Sequence, residues 1–384
     1  MNNSNRLTTE FIFMLSIINR DSSALANKVD WSLFLKEARH HRVYPILYVE
    51  IMNQQRKDIP DHVLLKLELW YKQNVFKMLH LAAEMNQLNQ LFHENKIRMM
   101  QLKGPEMGKY LYGDLSLRTS GDLDIMVPIE KLKQAEVLLS SMGYEKDDYI
   151  ETVLGDWKWR HHHVAYLHPA KKIKVELHWR LNPGPSKEPG FERLWSRKCS
   201  ENHCTHFLGK EDYFYFLVHH GARHGWSRLR WLLDIQRFIE KQPDWTKMKT
   251  KEYQHYSPII AGQALTLVQR LFHTKLPKET LSFTRGRQPI KLADDTMFYL
   301  ERMINLHDLP LEKEVSSYHK KHLYSLMSRS EKLFFAVSTL YPYPEDARTL
   351  PLPKSLHVLY FPLRPALWIW RKSRGQVLTD EVKI

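Results

Sequence analysis

Two aspartates, Asp122 and Asp124, stand one residue apart at the head of the apolar run Leu123 to Val127, inside the stretch QLKGPEMGKYLYGDLSLRTSGDLDIMVP from Gln101 to Pro128. Successive side chains of a strand point to opposite faces. In a strand both carboxylates therefore project to one side while Leu123, Ile125 and Val127 anchor the other. Carboxylate oxygens are hard ligands, and Mg2+ normally rests on one or two of them together with substrate phosphates. The expected cargo is a nucleoside triphosphate or a related phosphorylated donor.

The neighbourhood strengthens that reading. Lys103-Gly104-Pro105 ends the apolar run Ile97 to Leu102 and opens a helical pattern from Glu106 to Leu111, with Pro105 in the preferred first-turn position. A helix start led by glycine presents free amides and a positive dipole end to a phosphate. Arg118, four residues before Asp122 in a loop, offers a guanidinium fork for phosphate oxygens. Further on, Ile173 to Trp179 alternates cleanly, with Ile173, Val175, Leu177 and Trp179 on one face and Glu176 and His178 on the other. A glycine turn, two carboxylates on one strand and a third on another form the constellation used in metal-assisted phosphoryl or nucleotidyl transfer.

The run Leu102-Lys103-Gly104, then R-x-x-x-D-x-D followed by hydrophobic residues, then V-E-L-H-W, resembles the bacterial uncharacterised nucleotidyltransferases of the DNA polymerase beta superfamily, mainly over residues 95–182. The resemblance implies that Asp122 and Asp124 are metal ligands, Gly104 the nucleotide-loop glycine and Glu176 the third carboxylate. The usual pair of small residues in that loop is Gly104-Pro105 here, and the commoner third aspartate is a glutamate. On this reading Asp122, Asp124, Glu176 and His178 are the catalytic candidates. Asp122, Asp124 and Glu176 hold Mg2+ or Mn2+, and Lys103, Gly104 and Arg118 hold the triphosphate. His178 is an alternative to Glu176 as general base, because an imidazole titrates near neutrality.

Helical spacing dominates residues 1–95, where Leu81, Met85, Leu88 and Phe92 share one stripe. Residues 96–185 read as strand, helix, strand, helix, strand, strand. The helix is marked by Leu132, Ala135, Leu139 and Met142 and stopped by Gly143, and Pro169 to Lys172 forms a hairpin connection. The fold class expected is α+β: a small mixed nucleotidyltransferase-type sheet with helices on one face, flanked by helical regions. The stretch LNPGPSKEPG, Leu181 to Gly190, marks the exit from this core. A helical domain follows over 186–340, then an aromatic and basic segment over 341–384. Within the helical domain His220 and His224 share a helical face, and Arg230 is expected to pair with Asp234. All four are candidates for the wall of a substrate cleft, or for ordinary helix stabilisation. His161, His162 and His163 are expected at a surface or cleft edge, since alternation along a strand turns the middle one away from its neighbours.

Composition sets outer bounds. The 384 residues suffice for two or three domains, and the net charge of +14 fits a polyanionic donor or an acidic acceptor as well as nucleic acid. The basic residues are spread along the chain with no nucleic-acid recognition motif, so no specific nucleic-acid partner is expected. The expected partners are an NTP or nucleotide-sugar donor and a small-molecule or peptide acceptor. Two cysteines, Cys199 and Cys204, give no disulfide framework and no zinc-finger spacing, which suggests a reducing cytoplasm. Phe11 to Ile18 is too short for a secretory signal, and no run reaches the roughly 20 apolar residues of a bilayer span. Residues 355–370 come closest but are interrupted by Arg364 and two prolines. They are expected to brace the body rather than lie on a membrane. Three activities share these residues: nucleotidyl transfer first, glycosyl transfer from a nucleotide sugar through the same metal site second, and a non-catalytic basic binding module third.

Overall fold

The computed structural model describes residues 7–21, 26–147, 150–184, 186–306 and 310–373. Three helices, α1 (Thr9–Asn19), α2 (Trp31–His40) and α3 (Tyr44–Asn53), lead into the long α4 (Asp61–Glu94). The sheet region then runs β1 (Met100–Lys103), α5 (Pro105–Tyr112), β2 (Leu123–Met126), α6 (Leu132–Ser141), β3 (Glu145–Lys146), β4 (His163–His168), β5 (Ile173–His178), β6 (Cys199–Ser200) and β7 (His206–Phe207). Helices α7 (Lys210–Arg223), α8 (Leu229–Glu240), α9 (Pro258–Phe272) and α10 (Arg287–Glu301) follow. The chain then enters α11 (Lys313–Leu326), α12 (Arg329–Ser338) and α13 (Tyr360–Ser373).

The strands form one mixed sheet in the order β3-β4-β5-β2-β1-β7-β6. The α+β class with helices flanking the sheet is as expected, but the sheet is wider. β3, β6 and β7 have two residues each, too few to show a period of two, and the last two lie beyond the proline- and glycine-rich exit at 181–190. Chain past that exit thus returns to pair with β1, Gln101 opposite Phe207.

Two cores meet at the sheet. On one face Leu123, Ile125, Val127, Val175 and Leu177 pack with Leu132, Ala135 and Leu139 of α6 and with the α4 stripe Leu81, Met85, Leu88 and Phe92, all 7% exposed or less. Glu84 of α4 ties the β4–β5 hairpin to this core by accepting from Tyr144 Oη at 2.9 Å and from Lys171 Nζ at 2.7 Å. The second core joins α1 to α3 with α7 to α10 in a single apolar cluster, which also takes Met100, Leu102 and Met126 from the sheet's other face. The N-terminal helices and the later helical region therefore share one interior.

The C-terminal segment is anchored through Asp346. Its carboxylate is fully buried and takes Arg364 at 2.5 Å and Arg371 at 2.7 Å, both from α13. Trp368, Ile369 and Trp370 on the same helix are 39–61% exposed. Among the described residues no helix is long and apolar enough to cross a membrane.

Candidate active site

Alternation along three adjacent strands assembles the cluster. β2 pairs with β5 in parallel with Asp124 beside Glu176, and β5 pairs with β4 antiparallel with His178 opposite His163. Residues in register share a face, and Glu176 and His178 are two apart, so Asp124, Glu176, His178 and His163 all project from the side opposite α4 and α6. Lys103 reaches the same face by a different device. Gln101 pairs with Ile125, but Lys103, not Leu102, pairs with Asp124. This one-residue bulge re-aims a side chain that strict alternation would send toward α4. Gly104 follows at φ +142°, where side chains are strained, and turns the chain into α5.

The resulting contacts are close. Asp124 Oδ1 lies 3.2 Å from both Lys103 Nζ and His178 Nε2, and His178 Nε2 is 3.6 Å from Glu176 Oε2. One ligand atom each from Asp124, Glu176 and His178 fits within 4.8 Å of the other two. Asp122, one residue before β2 and half-buried, lies outside this trio but near enough to feel the charges of Asp124 and Glu176. The charges settle asymmetrically. Burial and then the neighbouring Asp124 carboxylate push Asp122 up. Burial acts to raise Asp124 too, but Lys103 and His178 outweigh it and hold that carboxyl below the usual range. Glu176 is likewise held well below its usual range, the cost of burial being overcome by His178, His163 and Lys103.

The wall facing this surface is α7 and its surroundings. Lys103 Nζ sits 5.6 Å from the Phe216 ring, and burial and then the Lys103 charge hold His220 well below the usual imidazole value. The His220 and His224 rings are adjacent, 4.7 Å between centroids, and both pack on Trp231. Arg223 is brought down to about 10 by burial, while Glu176, Glu188 and Asp124 act on it in the opposite sense. Arg42 and Lys77 both feel the Asp122 charge, and Arg230 acts on Asp122 as well. Five cations thus stand within electrostatic reach of three carboxylates: Arg42, Lys77, Lys103, Arg223 and Arg230. Arg223 is legible afterwards from its place three residues past His220 on one helix. Arg42 and Lys77 carry no local signal.

Three expectations need correction. Arg118 is 2% exposed and both carboxylate oxygens of Asp234 lie 3.1 Å from its Nε, so it clamps the loop to α8 instead of forking freely toward a phosphate. Asp234, which also accepts from Tyr112 Oη at 2.9 Å, is committed to Arg118 rather than to Arg230. Arg230 instead donates to the Thr119 carbonyl, and burial with Arg118 nearby lowers it to about 9. Lastly, His162 precedes the first residue of β4, so strand alternation does not govern it. Its ring joins those of His163 and His178 rather than turning away.

The profile of an uncharacterised nucleotidyltransferase family matches residues 27–273. The chain belongs to that family. The matched span runs from just before α2 through α9, so it takes in the sheet, the core beneath it and every residue of the cluster, while α1 and α10 of the second core lie outside it. No curated protein and no solved structure matches the chain. Nucleotidyltransferases typically use divalent metals, and the residues present fit one. Asp124 Oδ2 is buried with no hydrogen-bond partner among the described residues, an atom that costs free energy unless something positive occupies it.

Proposed function

We propose that the chain is a metal-dependent nucleotidyltransferase that moves a nucleoside monophosphate from an NTP to an acceptor hydroxyl or phosphate. The observation that carries the reading is the convergence of Asp124, Glu176 and His178 on one sheet face, with Asp122 near enough to feel their charges and cations around it. Asp122, Asp124 and Glu176 are the residues that would hold Mg2+ or Mn2+. The bound ion would neutralise developing charge on the phosphates and orient the attacking and leaving oxygens.

The chain's own groups do the rest. The start of α5, led by Gly104, offers backbone amides to phosphate oxygens. Lys103, Arg223, Arg230, Arg42 and Lys77 balance a triphosphate that the carboxylates alone would repel. The acceptor oxygen attacks the α-phosphorus, the bond from that phosphorus to the bridging oxygen breaks, and pyrophosphate leaves. Asp122, less buried than Asp124, is the carboxylate that the acceptor's proton reaches. Glu176, kept strongly anionic by His178 and His163, suits ligation better than proton uptake. Arg118 acts by positioning the loop that delivers Asp122. A cytoplasmic location suits an NTP-consuming enzyme of this kind.

Incubation with α-labelled NTPs, Mg2+ and a pool of candidate acceptors tests this. Label should enter an acceptor as a nucleoside monophosphate with release of pyrophosphate, and Asp122→Asn should abolish it. An acceptor that gains a hexose from a nucleotide sugar, and never a nucleotide, would assign the same site to glycosyl transfer.

A further inference from the structure

Beside the carboxylates the same sheet face is rich in nitrogen. His163 faces His178 across the antiparallel β4–β5 pair and His162 immediately precedes β4, so each of the three offers a ring nitrogen within 4.8 Å of the other two. His162 Nε2 and His163 Nδ1 are 3.0 Å apart, and the His162 and His178 rings lie edge to face at 5.3 Å. Glu176 Oε2 stands 3.8 Å from His163 Nε2 and 3.6 Å from His178 Nε2, so one carboxylate faces two of the imidazoles, while His178 also meets Asp124 directly. The orientation of His178 is fixed from behind, its Nδ1 3.3 Å from the Arg180 carbonyl. That is the outer-shell hydrogen bond by which ligand histidines are usually held.

Ligand chemistry separates this group from the oxygen cluster next to it. Mg2+ takes oxygen in near-ideal octahedral geometry, whereas imidazole suits Zn2+ and its transition-metal neighbours. Tetrahedral zinc with Zn–N of about 2.0–2.1 Å needs nitrogens about 3.4 Å apart. Donors already within 4.8 Å reach that spacing by small ring rotations.

We infer that His162, His163 and His178 form a nitrogen-rich position that binds a transition metal ion of the Zn2+ and Co2+ type, with Glu176 as the carboxylate facing both it and Asp124. Its purpose, to fix Glu176 beside Asp124, rests on the transferase reading; the binding itself does not. The site differs from the oxygen-ligated position in its preferred ion and in His162 and His163, and it shares His178 with the Asp124 cluster.

The test is titration of the full chain with Co2+ in excess Mg2+, read by the visible absorption of tetrahedral Co2+, together with zinc-edge X-ray absorption of the Zn2+-loaded wild type. One Co2+ per chain and two or more imidazoles around zinc are expected. His162→Gln and His163→Gln should each weaken Co2+ binding about tenfold or more, while Asp122→Asn keeps it and loses nucleotide transfer. Absence of stoichiometric Co2+ under excess Mg2+, or fewer than two imidazoles around zinc, overturns the inference. The X-ray measurement uses wild type, so an unfolded variant does not shelter it. Co2+ binding by a chain that transfers no nucleotide would support this site and sink the transferase reading.

Discussion

Single residues divide the acidic cluster into unlike parts. Asp122 repels its neighbour, so Asp122→Asn should abolish turnover while raising the metal-free melting temperature slightly. Asp124 is neutralised by Lys103 and His178, so Asp124→Asn should abolish turnover and lower the melting temperature, because a buried ammonium loses its partner. Calorimetry of both variants beside activity checks the pair of signs. Arg118→Ala breaks a pair buried on both sides and should cost about 3–5 kcal/mol in a denaturant titration, with nucleotide KM little changed in the folded fraction. A raised KM at unchanged stability would mean that Arg118 holds phosphate after all. Glu37 sets a pH dependence far from the site. Glu37 is 2% exposed, and burial, only partly offset by the hydrogen bond from Thr8 Oγ1, raises it to about 7. A carboxyl whose folded value lies above its unfolded value of 4.5 stabilises fully below pH 4.5 and loses that contribution as pH rises to about 7. At about 1.4 kcal/mol per unit the loss is on the order of 3–4 kcal/mol. Glu37→Gln should flatten the fall in melting temperature between pH 5 and 7.

At the level of elements, what the sequence made legible follows from period. Polar and apolar residues alternate from Asp122 to Ile125 and from Ile173 to Trp179, so the placing of Asp124, Glu176 and His178 on one face could be read without coordinates, as could the buried stripe of α4. Lys103 could not be placed that way. Its direction depends on a bulge, which shifts the period by one and leaves no trace in composition. The partner of Asp234 is hidden from spacing for a related reason. Spacing of four residues points to Arg230, but Arg118 arrives through tertiary packing and takes both carboxylate oxygens. His162 lies one residue before β4, so the strand period that sets the direction of His163 does not reach it. Residues 341–373 illustrate an element held by one charge centre. Asp346→Ala leaves Arg364 and Arg371 buried without a carboxylate, so α13 should open locally well before the rest of the chain. Hydrogen exchange restricted to residues 344–373 checks this, with the sheet region unchanged.

Over the whole molecule, the net charge of +14 is not a uniform coat. Cations from the α2–α3 turn, from α4, from the β1 end, from α7 and from α8 are drawn toward three carboxylates by folding, though in sequence they are separated by up to 188 residues. No local reading of the chain collects them. They stand together only because the N-terminal helices share a core with α7 to α10 above the sheet. A surface that is acidic at its centre and basic around it favours a metal-bound polyanion over a bare one. The most direct measurement is therefore a thermal-shift titration of the full chain with nucleoside triphosphates, with and without Mg2+, on wild type and Asp124→Asn. The account predicts stabilisation of wild type that needs Mg2+ and grows with nucleotide, about 2.7 kcal/mol at one hundred times the dissociation constant, and none in the variant. Equal stabilisation without Mg2+, or in Asp124→Asn, would contradict it.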